Sequence, residues 1–441
     1  MNIQVATEKT DDGKLLAKVT VPAADVDKAI AATYADIARR YSFQGFRKGH
    51  VPRPVIDGMI GRDAVLGETT NTVLGQVDPQ LCEELNVVPL GEISYGDDVQ
   101  PVVGGQDYVV EATIAVRPEC ELTDYDAPAI DMPPAEPTEA EVDEQIDVLQ
   151  GYHATFDDVE EDREVAADDI VSIDVEDVEN AAAFAGEGRM LDMGGAGMPA
   201  EFDEQLVGMR KGESREVAWT EKHAHGEHEH EVAHKVKVTL VAIKQRNVPE
   251  LTEEFIKESY GFDSVEQLRD AVRQELATDK TYTLPNVKEN RVVAAVAEKL
   301  DLDEVPEDYQ NSVYTEVLQE FLQQLQRQGT TVDAYLQARG VDFESFLADV
   351  REQADERARQ SLALDAVARH LGLEVSEDEL AEEFGKSGVE DPEASLKEFR
   401  DAGRLPAVRE ALLRNKALNW LVENATVTEV DEAAQRRADA E

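Results

Sequence analysis

Cysteine is nearly missing: the 441 residues hold only Cys82 and Cys120. Their separation matches no zinc or redox spacing, so the chain has no disulfide framework and both are expected as reduced thiols. Aromatic residues are also scarce, at 6%. No run approaches the roughly 18 apolar residues of a membrane span. The start, Met1-Asn2-Ile3-Gln4-Val5-Ala6-Thr7-Glu8-Lys9, has no basic segment leading into an apolar one, so a cytoplasmic chain with no membrane partner is expected. A Gly-x-x-x-x-Gly-Lys-Ser/Thr phosphate loop is missing, and Gly194-Gly195-Ala196-Gly197 lacks dinucleotide-site spacing, so neither ATP use nor any cofactor is expected. Basic charge is the last scarcity. Lys and Arg total 43 against 95 acids, a formal charge of -52, which disfavours anionic membranes, DNA and nonspecific nucleic-acid binding.

Against that background, one stretch stands apart. From Ile37 to Ile56 there is no acid, and Arg39, Arg40, Arg47, Lys48 and Arg53 are concentrated there. A strongly acidic chain can approach phosphate only through such a patch, so the expected partner of this island is a polyanion. Before it, Val26, Ile30, Tyr34, Ile37 and Tyr41 recur at steps of four and three, which predicts one apolar helix face. Gly45 and Gly49 then permit a tight loop, while Pro52 and Pro54 oppose helix through it. Phe46 therefore stands on a loop between two helices. Such an aromatic is either folded back into its own domain or left outward as an apolar anchor beside phosphate-pairing bases.

Other elements follow from pattern. Residues 15–21 and 108–116 are β-branched strand candidates, as are 170–175 and 235–243. Pro128, Pro133, Pro134 and Pro137 mark a linker that ends in Thr138-Glu139-Ala140-Glu141, a capping box opening a short helix. From about 247 to 432 the pattern is helical: Val313, Val317, Phe321 and Leu325 form one stripe, and Leu362, Ala363, Ala366, Val367 and Leu371 another. Ser264-x-x-Gln267 and Ser376-x-x-Glu379 resemble capping boxes. Residues 433–441 read as a disordered tail.

Gly45-Phe46-Arg47-Lys48-Gly49-x-x-Pro52 after an amphipathic helix resembles the ribosome-docking signature of the trigger factor family. In the same order come matches at Val248–Phe255, Leu371–Leu380 and Leu413–Leu421, so the resemblance covers nearly the whole chain. It implies an α+β multidomain fold. A ribosome-binding α/β domain would span 1–121, a linker and connecting helix 122–152, an FKBP-like antiparallel β domain with a helix 153–246, and an all-α chaperone domain 247–432. The implied partners are a protein and rRNA of the large ribosomal subunit beside the exit tunnel, and unfolded nascent polypeptides; self-association off the ribosome is left open. Arg39, Arg40, Gly45, Phe46, Arg47, Lys48, Gly49 and Arg53 would make the ribosome contact. The implied role is an ATP-independent chaperone acting in folding and export, with the family's isomerase and cell-division associations. A prolyl isomerase and a ribosome-free holdase are the alternatives.

The resemblance also implies FKBP-type peptidyl-prolyl isomerisation. That chemistry needs an apolar aromatic pocket to hold the proline ring, lowering a rotation barrier of about 18–20 kcal/mol, and no nucleophile or metal. Here the family's aromatic after the first strand's Asp is Val175, Arg189 stands where a ring is expected, and His223 and Val236 replace two further aromatics. Met198, Phe202 and Trp219 are what remains of the pocket, or are simply core. In the same region His223, His225, His228, His230 and His234 fall within twelve residues, five of the eight histidines present. They read either as a solvated flap or as adventitious ligands for zinc, nickel or copper with Glu227, Glu229 and Glu231 in support; no resident metal is assigned. In the helical region Phe321, Leu322 and Leu325 are candidate client contacts, the alternative being helix–helix core.

Overall fold

Alternation decides the first sheet. In the strand β1 (Gln4–Lys9) and its antiparallel partner β2 (Leu15–Val21), Val5 faces Val19, and along β2 Ala17, Val19 and Val21 are buried while Lys18 is exposed. That buried face receives helix α1 (Ala23–Arg40), which turns inward Val26, Ala29, Ile30, Thr33, Tyr34, Ile37 and Ala38. Tyr41, expected on this face, is instead half-exposed, because the helix ends at Arg40 and the backbone turns extended there. After α2 (Arg53–Ile60) and α3 (Arg62–Leu85), β3 (Tyr108–Ile114) pairs antiparallel with the far edge of β2, giving the sheet order β1-β2-β3.

The structure is a computed structural model, describing residues 1–10, 13–96, 98–160, 163–167, 169–181, 184–195, 198, 200–225, 228–339, 341–386 and 388–440; side chains at 200, 221–225, 228–232 and 440 are outside the description. Strand β4 (Ala129–Met132) leads to α4 (Glu139–Gly151), whose N-terminus carries the expected capping box: Thr138 Oγ1 accepts from Glu141 N–H while the Glu141 carboxylate accepts from Thr138 N–H. Next come β5 (Thr155–Asp158), β6 (Ile170–Glu179), β7 (Gly186–Asp192), α5 (Ala200–Leu206), β8 (Ser214–His225) and β9 (His228–Asn247). With twenty residues, β9 is long enough to pair with β6 along one edge and with β8 and then β5 along the other. The result is an antiparallel sheet ordered β5-β9-β6-β7 with β8 on β9, and α5 packs beside β8 through Phe202 and Leu206.

Helices follow: α6 (Glu253–Ser259), α7 (Val265–Ala297), α8 (Glu307–Gln328), α9 (Val332–Arg339), α10 (Phe343–His370), α11 (Glu377–Lys386), α12 (Pro392–Asp401) and α13 (Leu405–Asn424). The chain closes with strand β10 (Thr426–Glu429) and α14 (Glu432–Ala440). The expected disordered tail is therefore helix as far as it is described. Arg436 and Arg437 tie α14 to α4, with Arg436 2.8 Å from Glu144 and Arg437 2.9 Å from Asp143.

Contacts group the chain otherwise than by sequence order. One unit joins 1–130 with 288–428 and the other joins 131–287 with 429–441. In the first, the antiparallel sheet and the helices α8, α10 and α13 share a unit although hundreds of residues separate them. In the second, Val142 and Ile146 of α4 pack with Ile256, Leu268 and Val272, so the predicted linker helix belongs to a small core of its own. Both cysteines are free and buried.

Candidate functional site

Two successive turns build the loop between α1 and α2. Phe46 N–H donates to Phe43 O at 3.1 Å, and His50 N–H donates to Arg47 O at 2.9 Å. Gly49 N–H reaches back to Ala38 O at 2.8 Å, pinning the loop to the end of α1. Gly45 and Gly49 take φ of +85° and +83°, left-handed values that cost an L side chain strain, which is why glycine holds both places. The two aromatics then part company. Phe43 is buried in the core, whereas Phe46 is 42% exposed.

Charge sorts the basic residues further. Arg40 is neutralised by Asp36 at 2.6 Å and Glu68 at 3.5 Å. Arg53 lies over the Tyr34 ring, 4.9 Å from its centroid, and the Tyr34 hydroxyl donates to Asp57. Burial first, and the Asp57 carboxylate second, push the Tyr34 pKa up. Among the described residues Arg39, Arg47 and Lys48 form no ion pair and are exposed. Beside the exposed ring they leave three uncompensated cations, the arrangement that suits a phosphate-bearing partner.

Of the client candidates, only Leu322 faces outward. Phe321 packs against Phe346 and Tyr335 at ring distances of 4.9 and 5.1 Å, and Leu325 is buried beneath the same helix. An i, i+3, i+4 stripe turns its apolar members inward, leaving Leu322 on the opposite side. Phe343, at the start of α10, is 57% exposed and was missed because a helix N-terminus carries no periodic signal of its own. A separate cleft of about 730 Å³ is lined by Ala294, Arg357, Ser361, Leu364, Arg414 and Asn415 among others.

In the second unit, Trp219 stacks on His234 at 5.2 Å and meets Phe184 and Phe202 edge-on at 5.1 and 5.3 Å. Phe202 and Trp219 are 1% and 2% exposed and belong to the core of this domain, with Met198 half-buried against that core. Val175 and Val236, where the family pattern has aromatics, are buried in the same core. Arg189 donates to the carbonyl of Phe184. Asp203 accepts from Gly194 N–H at 2.9 Å, and burial raises its pKa.

The expected histidine flap is strand on both sides. Residues 214–225 pair continuously with 228–239. His234 leaves the group altogether: it is buried, with Nδ1 2.6 Å from Asn180 O. The side chains of His223, His225, His228 and His230, like Glu227, lie outside the described residues.

Sequence comparison decides the family. The profile of "Bacterial trigger factor protein (TF)" matches residues 3–149, and that of its C-terminus matches 264–423. Similar proteins include the trigger factor of Shouchella clausii, 30% identical over 431 residues covering 95% of this chain and 97% of the relative. The trigger factor of Mycobacterium bovis is 30% identical across 96% of this chain and 91% of its own length. That of Halothermothrix orenii is 28% identical across 96% and 99%. The chain belongs to the trigger factor family.

As a trigger factor, the chain has the chaperone family's three-part fold: an N-terminal α/β region, a central β-rich domain and a helical C-terminal region. Sequence reasoning placed the Gly45–Gly49 loop between two helices, as the structure has it, but missed two residues. Phe43 is the buried foot of the loop, detectable in retrospect as the apolar residue one turn before Phe46. Arg117 lies outside any motif and is described below as the hub of an ion cluster.

Proposed function

We propose that this chain is an ATP-independent chaperone that docks beside the ribosomal exit tunnel and shields emerging polypeptides, in the cytoplasm. One observation carries the reading: an exposed Phe46 beside Arg39, Arg47 and Lys48, cations unpaired among the described residues, on a glycine-shaped loop in a chain of charge -52. Gly45 and Gly49 shape the contact, and Arg40 and Arg53 brace it from their pairings with Asp36 and Tyr34. The partners are rRNA and a large-subunit protein. Residues 1–121 act as the docking module, 122–152 as linker and helix, 153–246 as the FKBP-like domain and 247–432 as the client-binding module. Outward apolar side chains such as Leu322 and Phe343 support weak, reversible client contact that needs no energy source to release.

Prolyl isomerisation is the secondary activity in this reading. Burial of Phe202 and Trp219 argues against a wide proline pocket, so proline-limited refolding of a client should be accelerated weakly if at all. The deciding experiment is co-sedimentation of purified protein with vacant ribosomes. It compares the wild type with a Phe46→Ala, Arg47→Ala, Lys48→Ala variant over a salt series. Pelleting of the wild type alone, weakened by salt, supports docking. Equal behaviour of the two proteins would overturn it in favour of a ribosome-free holdase.

A further inference from the structure

Strand β5 pairs on one side only, with β9. Its register sets Phe156 opposite Arg246 and Asp158 opposite Lys244, and continues to Val159, whose N–H donates to Ile243 O at 2.9 Å. Opposite residues of an antiparallel ladder alternate between pairs that exchange backbone hydrogen bonds and pairs that do not. Val159 belongs to a bonded pair, so Asp157 and Thr155 do as well, and Phe156 and Asp158 are the unbonded ones. The N–H and C=O groups of Phe156 and Asp158 therefore point away from β9, along an edge that no other strand among the described residues covers. Edges are commonly guarded by charge. Here the acids of the strand are engaged by β9: Asp158 lies 2.6 Å from Lys244, and Asp157 accepts from Asn247 Nδ2 at 2.7 Å. Apolar side chains gather beside the edge instead. Tyr152 is 81% exposed, and Val148 one turn before it on α4, Phe156 on the strand and Val248 just past β9 are exposed too. Arg246 forms no ion pair among the described residues and crosses close to Gly151, where a Cβ would stand 2.9 Å from its Nη2.

We propose that the free edge of β5 is a strand-addition site for an extended, apolar segment of an unfolded polypeptide. The inference rests on the chaperone reading above and gives it a client contact made through backbone. An incoming strand pairs with the outward N–H and C=O of Phe156 and Asp158, groups that any sequence can satisfy, and lays alternate side chains against Phe156 and its apolar neighbours. Two outward-facing residues make a short ladder, so capture is weak and reversible without an energy source. A second copy of this chain is disfavoured as the occupant, because it brings its own charge of -52 to the same edge. A neutral or basic segment meets no such repulsion, and the acids on the strand are already compensated by Lys244 and Asn247.

The experiment titrates full-length protein into a fluorescein-labelled peptide, Lys-Thr-Val-Thr-Val-Thr-Val-Thr-Lys, read by anisotropy. Phe156→Ala removes the ring alone, whereas Phe156→Pro removes the ring and the outward N–H that β9 does not use, a change that an edge strand tolerates. The Pro variant should bind roughly threefold to tenfold more weakly than the Ala variant, the effect of one hydrogen bond. Circular dichroism of each variant checks that the fold is retained. Amide exchange of the wild type supplies a readout that needs no variant: the N–H groups of Phe156 and Asp158 should exchange more slowly when the peptide is bound. Equal affinity of the two variants, or unchanged exchange at those amides, overturns the site. So does a wild-type dimer that Phe156→Pro dissociates in sedimentation, which would assign the edge to a second copy. Ribosome pelleting of the same variants separates this inference from the reading beneath it. Both should pellet like the wild type, and a wild type that binds the peptide without pelleting would fail the docking reading alone.

Discussion

Arg117 holds its Nη1 2.9 Å from Asp365 Oδ2, across 248 positions of sequence. The same nitrogen lies 3.0 Å from Glu410, Arg414 approaches Asp365 at 3.3 Å, and the Arg117 guanidinium sits 5.2 Å from the Tyr309 ring centroid. The segment after β3 is thereby clamped to α8, α10 and α13. Burial pushes the Glu410 carboxyl up, with Arg117 and Arg414 opposing that rise. Removing one member of a largely buried ion cluster strands its partners, so Arg117→Ala should cost about 3 kcal/mol. Urea unfolding measures this, and a loss below about 1 kcal/mol, the value of an exposed pair, would mean that the cluster is solvent-screened.

A second long-range contact turns on a missing side chain. Gly403, in the turn before α13, has φ of +65°, and a Cβ there would stand 2.6 Å from both Cα and O of Pro79 in α3. Gly388 has φ of +73° but open space around it. Both alanine variants carry the left-handed strain of roughly 1–2 kcal/mol, but only Gly403→Ala adds overpacking of about 1–3 kcal/mol. Equal losses for the two variants would show that α3 and the α12–α13 turn can separate freely.

Leu322 and Leu325 make a matched pair on α8. Leu325→Ala empties a buried site and should destabilise the protein by about 2–5 kcal/mol. Leu322→Ala with Phe343→Ala removes exposed apolar surface, so stability should stay within about 0.5 kcal/mol. The same double variant should suppress aggregation of an unfolded client less well than the wild type. Light scattering of a diluted, denatured client reads this, and undiminished protection would place client contact elsewhere.

Acid should dissolve one helix cap. A hydrogen bond from Lys416, followed by those from Ser376, lowers the Glu379 pKa from 4.5 to about 2. A depressed carboxyl contributes stability at pH above its unfolded value, and that contribution is lost as pH falls from 4.5 towards 2. The gap in unfolding midpoint between wild type and Glu379→Gln should accordingly be constant from neutral pH to about 5 and close below that. A gap that widens on acidification contradicts the cap at Ser376, where Glu379 accepts from the Ser376 N–H at 2.8 Å.

Local pattern carried much of the fold. Alternation at Ala17, Val19 and Val21, the four-step stripe ending at Leu325, and the capping boxes at Thr138 and Ser376 each arise from interactions within a few residues, and such interactions are written in neighbouring letters. The end of α1 was read one residue late, at Tyr41, because a helix terminus depends on where the following chain turns. The tail from 433 was misread for a related reason. Its polar composition resembles disorder, and the acids of α4 that pair with Arg436 and Arg437 are nearly three hundred residues away.

By itself the sequence determined the island of positive charge, the glycines that shape its loop, the helical and strand periods, and the kinship to trigger factors. All of these depend on composition or on short-range order. Tertiary structure decided how the residues of that region are placed, leaving Phe46 outward and Phe43 inward, and Arg40 paired while Arg47 forms no ion pair among the described residues. It decided that Phe202 and Trp219 are core and that Arg117 is a hub. Burial, ion pairing and strand register depend on which distant segments meet, and those meetings are set by packing of the whole chain rather than by any local run of residues.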